Sequence, residues 1–259
     1  MRLLYKMSWA WQPDRFPGSI HLMANKFYQP GDQRAAKVED LFATIAPRYD
    51  LINDLQSFGF HRLWKRRMIR LANLKAGEQA LDLCCGTGDI TFALARAGAK
   101  VTGLDFSEPM LEVAKKRAKK LEHAPEFLHG DAQNLPFPDA KFDVVTVSYG
   151  LRNLASWERG LDEMWRVLRP GGRLLVLDFG KPENRVLRGL YFFYLKWFVP
   201  LFGKIFCGDS ATHAYILESL KNYAAQRGVE ARMRTLQCTN VRIYNLLGGT
   251  MSINYGEKM

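Results

Sequence analysis

Long apolar runs are missing from this sequence. No stretch reaches the roughly 20 residues that a membrane-spanning helix requires. The nearest, "GLYFFYLKWFVPLFGKIF" over 189–206, is interrupted by Lys196, Pro200 and Lys204. Cysteine is scarce: Cys84, Cys85, Cys207 and Cys238 form no CxxC pair and no Cys/His ladder. That spacing excludes a zinc ribbon and a disulfide-framed fold, and no metal site is expected. Adjacent Cys84 and Cys85 read as small core filler in a strand, and a reducing, cytoplasmic setting fits them. Acids are outnumbered, 26 against 37 Lys and Arg, for a net charge of +11. The excess favours an anionic partner, either nucleic acid or an acidic membrane surface, without choosing between them. Residues 1–33 hold Asp14 as their sole acid up to position 30 and lack the apolar segment of a secretory signal. They are expected to be a poorly ordered extension ahead of one domain over 34–259.

What is present is a core-forming chain, 47% hydrophobic, with strands and helices in alternation from about residue 78. "QALDLCC", "KVTGLD", "EFLHGD", "FDVVTVS" and "RLLVLDF" read as five strands. Between them, "DITFALARAG" forms a helix ending at Gly98, Ser107 caps another with Pro109 in its first turn, and Ser156 starts a third. Arg169-Pro170-Gly171-Gly172 reads as a stop and turn. The C-terminal part is expected to hold a helix over 211–227 and weaker strands over 231–238 and 249–255. Residues 34–74 read as helices, with Leu41, Phe42 and Ile45 at helical spacing. The expected fold is α/β: a doubly wound, mostly parallel, Rossmann-like sheet with an N-terminal helical cap.

Three features line up for a ligand. A strand carrying Asp82 runs into "CCGTGD", and Asp105 ends the next strand, 17 residues beyond Gly88. Ligands of doubly wound sheets sit beyond the carboxyl ends of the strands, where glycine admits close approach and an acid accepts from ribose hydroxyls. The third glycine of a dinucleotide fingerprint is replaced by Thr91, and no GK[ST] follows, which excludes a phosphate-binding P-loop. An adenosine-type ligand fits better. In "GDAQNLPFPDAKFD", Asp131 can accept from an adenine amine while Ala132 packs on the ring; the plainer reading is a capped connection. "SYGLRN" (148–153) ends the fourth strand with a cation and an amide just past a glycine, which by itself is an ordinary turn.

"LDLCCGTGD", "GLDFSEPML", "GDAQNLPFPD" and "RVLRPGGRLLVLDF" together resemble the class I S-adenosylmethionine (SAM) dependent methyltransferases. "YDLINDLQSFGFHRLWKR" (49–66), "SYGLRN" and "RVLRPGGRLLVLDF" narrow the resemblance to the ubiquinone/menaquinone biosynthesis C-methyltransferases of the UbiE/MenG type, over about 34–258. The resemblance implies a SAM pocket lined by Gly86, Thr87 and Gly88, with Asp105 on the ribose, Asp131 and Ala132 about the adenine and Ser148 near the methionine end. Asp82 is grouped with these contacts. Asp131 stands where the family often has Asn, Cys84 and Cys85 where Ala and Gly are usual, and Ala224 and Gln237 where Pro and Gly are common.

The implied division is a helical lid (34–74), a SAM-binding core (75–180) and substrate- or membrane-facing helices with the last strands (181–259). The implied reaction is C-methylation of a prenylated quinol, with no metal. A sulfonium methyl is already activated, so the protein must align the ring carbon and favour the phenolate that enriches it. Arg152 suits that anion as a fixed cation and Asn153 can orient its oxygen, with Asp105 assisting proton loss. The resemblance implies Tyr49, Asn53, His61, Trp64 and Tyr149 around the ring, although the pattern of 49–66 by itself reads rather as an amphipathic helix pair with a structural histidine. The stretch 189–206 is either core or an apolar entrance that dips into a bilayer surface. The chain is then expected on the inner face of the membrane, as a homo-oligomer, without nucleic acid. Two rivals remain. An RNA or other small-molecule methyltransferase would keep the fold, but base-amine enzymes carry (N/D)PP(Y/F/W) where this chain has "SYGLRN". The other is a non-catalytic SAM-binding protein.

Overall fold

The computed structural model describes Asp54, Ser57 and residues 59–207 and 211–259. The expected extension, the first part of the lid, Tyr49 and Asn53 therefore lie outside the described residues. The described chain opens with α1 (Phe60–Ala72) and then alternates: β1 (Gln79–Leu83), α2 (Asp89–Arg96), β2 (Lys100–Asp105), α3 (Glu108–Ala118) and β3 (Glu126–His129). It continues through β4 (Phe142–Ser148), a 3-10 turn (Leu151–Asn153), α4 (Trp157–Val167) and β5 (Leu168–Phe179). Three helices follow, α5 (Arg185–Cys207), α6 (Ala211–Asn222) and α7 (Ala225–Thr235), before β6 (Thr239–Leu246) and β7 (Met251–Glu257).

The seven strands order as β3-β2-β1-β4-β5-β7-β6, parallel except for β7, which runs antiparallel to both neighbours. Strand residues alternate between faces, so a sheet covered on both sides needs two apolar sets. Val144, Leu175, Leu177 and Ile253 pack under Met68 and Ala72 of α1 and Ile90 and Leu94 of α2. Val145, Val147, Leu174 and Val176 face the other way, under Leu161 and Met164 of α4, Leu195 of α5 and Val229 of α7. The strand order reverses between β1 and β4. Their loops depart to opposite faces, which opens a crevice at the carboxyl end of the sheet.

The structure corrects four local expectations. Arg169-Pro170-Gly171-Gly172 ends α4, but β5 runs through it as a bulge. Leu168 pairs with Phe142 and Arg173 with Val144, while Gly171 sits at φ 74°. The expected helix over 211–227 is two helices, α6 and α7. The expected strand over 231–238 is mostly α7, because Ala225, Val229 and Met233 recur at helical spacing and are all buried; the strand begins at Thr239. Ser107 precedes α3 without capping it by side chain, whereas Ser156 accepts from the Arg159 N–H at 3.1 Å.

Candidate active site

A cavity of about 140 Å³ lies in the crevice, walled by the residues that follow β1, β2, β3 and β4. Each wall segment is shaped by its sequence. After β1, Cys84 at φ 51° and Gly86 at φ 55° turn the chain over the strand ends. After β4, Tyr149 at φ 61° does the same. Two left-handed non-glycine residues thus turn the chain at this cavity, as six others do at turns elsewhere among the described residues. Gly150 is needed for closeness. A Cβ there would collide with the Cβ of Cys84 and come within 2.6 Å of its Sγ.

Asp105 holds the crevice together from β2. Its Oδ2 accepts the Gly86 N–H at 2.7 Å and its Oδ1 the Ser107 N–H at 2.8 Å, so one carboxylate fixes the first loop and the start of α3. Burial pushes its pKa up against the pull of those backbone donors. Asp131 follows the adjacent strand end, where the Gly130 N–H donates to the Asp105 carbonyl at 3.0 Å; it is exposed, its Oδ1 accepting the Gln133 N–H at 2.9 Å. Leu104, Met110 and Ala132 supply apolar wall of the same cavity. Ser107 and Ser148 line the same wall, and the buried Oγ of each has no hydrogen-bond partner among the described residues. Burial pushes the Cys84 and Cys85 thiols up, so neither is a thiolate nucleophile.

The described wall thus has two carboxylates, two unpartnered hydroxyls and an apolar strip, and no Lys, Arg or His. Phosphate-bearing ligands would meet repulsion there. A nucleoside with a cationic tail fits: apolar surface for a base, carboxylate for ribose hydroxyls, negative field for a sulfonium or ammonium, and donors to match the buried hydroxyls.

Gly86, Asp105, Asp131, Ala132, Ser148, Tyr149 and Asn153 are brought together at this wall. Others are not. Asp82 lies one layer below, accepting from Thr91 Oγ1 at 2.7 Å and Thr146 Oγ1 at 2.8 Å, and burial pushes its pKa up to about 6. It ties α2 to β4 instead of lining the wall. Thr87 is buried in the turn, its carbonyl accepting from Arg117 at 3.0 Å. Gly88, at φ 89°, is required because Phe92 and Phe127 crowd it. His61 faces away: its Nδ1 pairs with Ser57 Oγ at 2.8 Å and its Nε2 lies 3.7 Å from Asp54. Burial lowers its pKa, as expected of a structural histidine. Trp64, on α1, is half-buried against the core and stacks on Phe60.

Arg152 is the largest revision. It does not line the wall but lies buried beneath it, its guanidinium donating to Asp178 Oδ1 at 2.9 Å and to the Tyr149 carbonyl. Its backbone N–H donates to Asp178 Oδ2, and its guanidinium carbon sits 4.5 Å over the Phe179 ring. Burial raises the Asp178 carboxyl, against the pull of Arg152 and two backbone donors. Asp178 and Met110 were not singled out from sequence, and Ser107 only as a helix cap. An acid inside the apolar run "LLVLDF" was the available signal for the first.

Residues 31–258 match the model of the ubiE/COQ5 methyltransferase family. A demethylmenaquinone methyltransferase of Staphylococcus saprophyticus is 38% identical over 88% of this chain and 99% of its own. Ubiquinone/menaquinone biosynthesis C-methyltransferases of Pseudomonas fluorescens and Azotobacter vinelandii are 41% and 39% identical over 88% of this chain, covering 91% and 92% of theirs. Among solved structures, a SAM-dependent methyltransferase from Aquifex aeolicus superposes with a TM-score of 0.54 at 18% identity, covering 75% of this chain and 89% of that one. A possible histamine N-methyltransferase from Thermotoga maritima gives 0.60 at 20%, covering 85% and 99%. At such identities the structures speak for the fold, which is that of the SAM-dependent class I methyltransferases. The sequence matches speak for descent: the chain belongs to the ubiE/COQ5 methyltransferase family.

Proposed function

We propose that the chain is a SAM-dependent C-methyltransferase acting on the ring of a prenylated quinol, in the conversion of demethylmenaquinol to menaquinol or the corresponding step toward ubiquinone. The observation that carries the cofactor is the cavity wall: acids and buried hydroxyls without a cation, suited to a positively charged nucleoside. The names of the relatives support the quinol. Bound SAM supplies a methyl group activated by its sulfonium. Asp105 and Asp131 hold its ribose and adenine ends, with Ala132 against the ring and Ser148 at the amino-acid end. Asn153 and Tyr149, at the wall, orient the quinol oxygen and ring. Arg152 acts from beneath, its ion pair with Asp178 and its bond to the Tyr149 carbonyl fixing the turn that presents both. Residues 34–74 serve as lid, 75–180 as cofactor core and 181–259 as the part that meets the cytoplasmic face of the membrane, and no nucleic acid is bound.

The test supplies labelled SAM with demethylmenaquinol, a demethylated ubiquinone precursor and tRNA in parallel. Label should enter a quinol alone; label in RNA alone overturns the reading. Asp105→Ala should weaken SAM binding by about 1–3 kcal/mol, read by titration calorimetry.

A further inference from the structure

Helix α5 has two faces. Leu195 and Val199 are buried against the sheet, whereas Val186, Leu190, Phe193, Trp197 and Leu201 are each more than half exposed. Their spacing of four, three, four and four residues places them in one stripe along the helix. Leu187 packs against Gly248, and the neighbouring Leu247 is also more than half exposed, so the β6–β7 turn extends the stripe. That turn precedes Met251, which pairs with Phe179 at the carboxyl end of β5. The stripe therefore borders the edge of the sheet at which the cavity opens. Contiguous exposed apolar surface of this kind marks a binding face.

Charge narrows the occupant. The 23 residues of α5 include no acid and four cations, Arg185, Arg188, Lys196 and Lys204. Arg185 and Lys196 project to one side of the stripe, and the Lys196 ammonium lies 5.1 Å over the Trp197 ring. Apolar aliphatics with tryptophan on one face and cations at the margin are the chemistry of a helix lying in the plane of an anionic bilayer. No helix among the described residues is long and apolar enough to cross one.

We propose that the α5 stripe, extended by Leu247, is an in-plane docking surface for an anionic lipid bilayer. Its purpose rests on the quinol reading above, since a prenyl tail keeps such a substrate in the membrane; its geometry does not. Docking here brings the mouth of the crevice to the surface from which the ring must be taken.

The test co-sediments the full chain with phosphatidylcholine vesicles, with and without phosphatidylglycerol. Wild type should bind the anionic vesicles preferentially. Leu190→Glu/Trp197→Glu should bind them at least about tenfold more weakly, yet methylate a water-soluble quinol without the tail at the wild-type rate and melt at the same temperature. Arg185→Glu/Lys196→Glu should lose the preference for phosphatidylglycerol. Equal binding by wild type and the first variant, or none by wild type, overturns the proposal. So does a dimer that the first variant dissolves, since the stripe then belongs to a second copy. Docking without methylation of any quinol would leave the surface standing and overturn the substrate instead.

Discussion

The guanidinium of Arg152 is held on three sides: Asp178 in the plane, the Tyr149 carbonyl at its edge and the Phe179 ring on its face. Both charges of the pair are almost fully buried. Breaking one partner of such a pair strands the other charge, whereas replacing both by apolar groups is tolerated. Arg152→Met or Asp178→Leu alone should therefore cost about 3–5 kcal/mol in urea unfolding, and the double variant should recover most of it. A single variant with an unmoved midpoint would refute the pairing as a structural tie. The residues themselves were legible: a cation after a buried strand is conspicuous in "SYGLRN". Its partner, 26 positions later, was not, because β4 and β5 become neighbours only in the sheet.

The loops after β1 and β4 are the elements that shape the site, and they touch at one point. Gly150 packs directly on Cys84, whose own backbone is left-handed. Gly150→Ala should force the two loops apart and cost about 1–3 kcal/mol, with a loss of SAM affinity. Adding Cys84→Gly should restore both, because glycine removes the obstructing side chain and adopts φ 51° without strain. Thermal melts and calorimetry of the single and double variants check this. The five parallel strands and their helices could be read from alternation and caps because those signals are local. The boundary between α7 and β6 could not: "EARMRTLQC" suits either state, and the burial of Val229 and Met233 against the sheet decided it.

Across the whole molecule, Asp89 links three helices. It begins α2 and accepts from Lys65 of α1 at 2.9 Å and from Arg117 of α3 at 2.8 Å. Burial opposes its charge, but the Lys65 and Arg117 interactions prevail and bring its pKa to about 2. A depressed acid stabilises the fold above its unfolded pKa, and that contribution fades as pH falls through the folded value. The chain should thus lose roughly 2 kcal/mol from this group between about pH 4 and pH 2. Asp89→Asn should lose the same amount at neutral pH and show a shallower acid limb, measured by circular dichroism. Sequence alone determined the order of the first five strands and their helices, the glycine turn, the acids at the strand ends and the family, because periodicity, turn chemistry and motifs are written in neighbouring residues. Tertiary structure alone decided which residues share a wall: it set Asp82, His61 and Arg152 away from the cavity surface and brought Ser107, read from sequence only as a cap, to it. The cause is physical, since burial, ion pairing and exposure depend on contacts between segments distant in the chain, and only packing of both sheet faces fixes them.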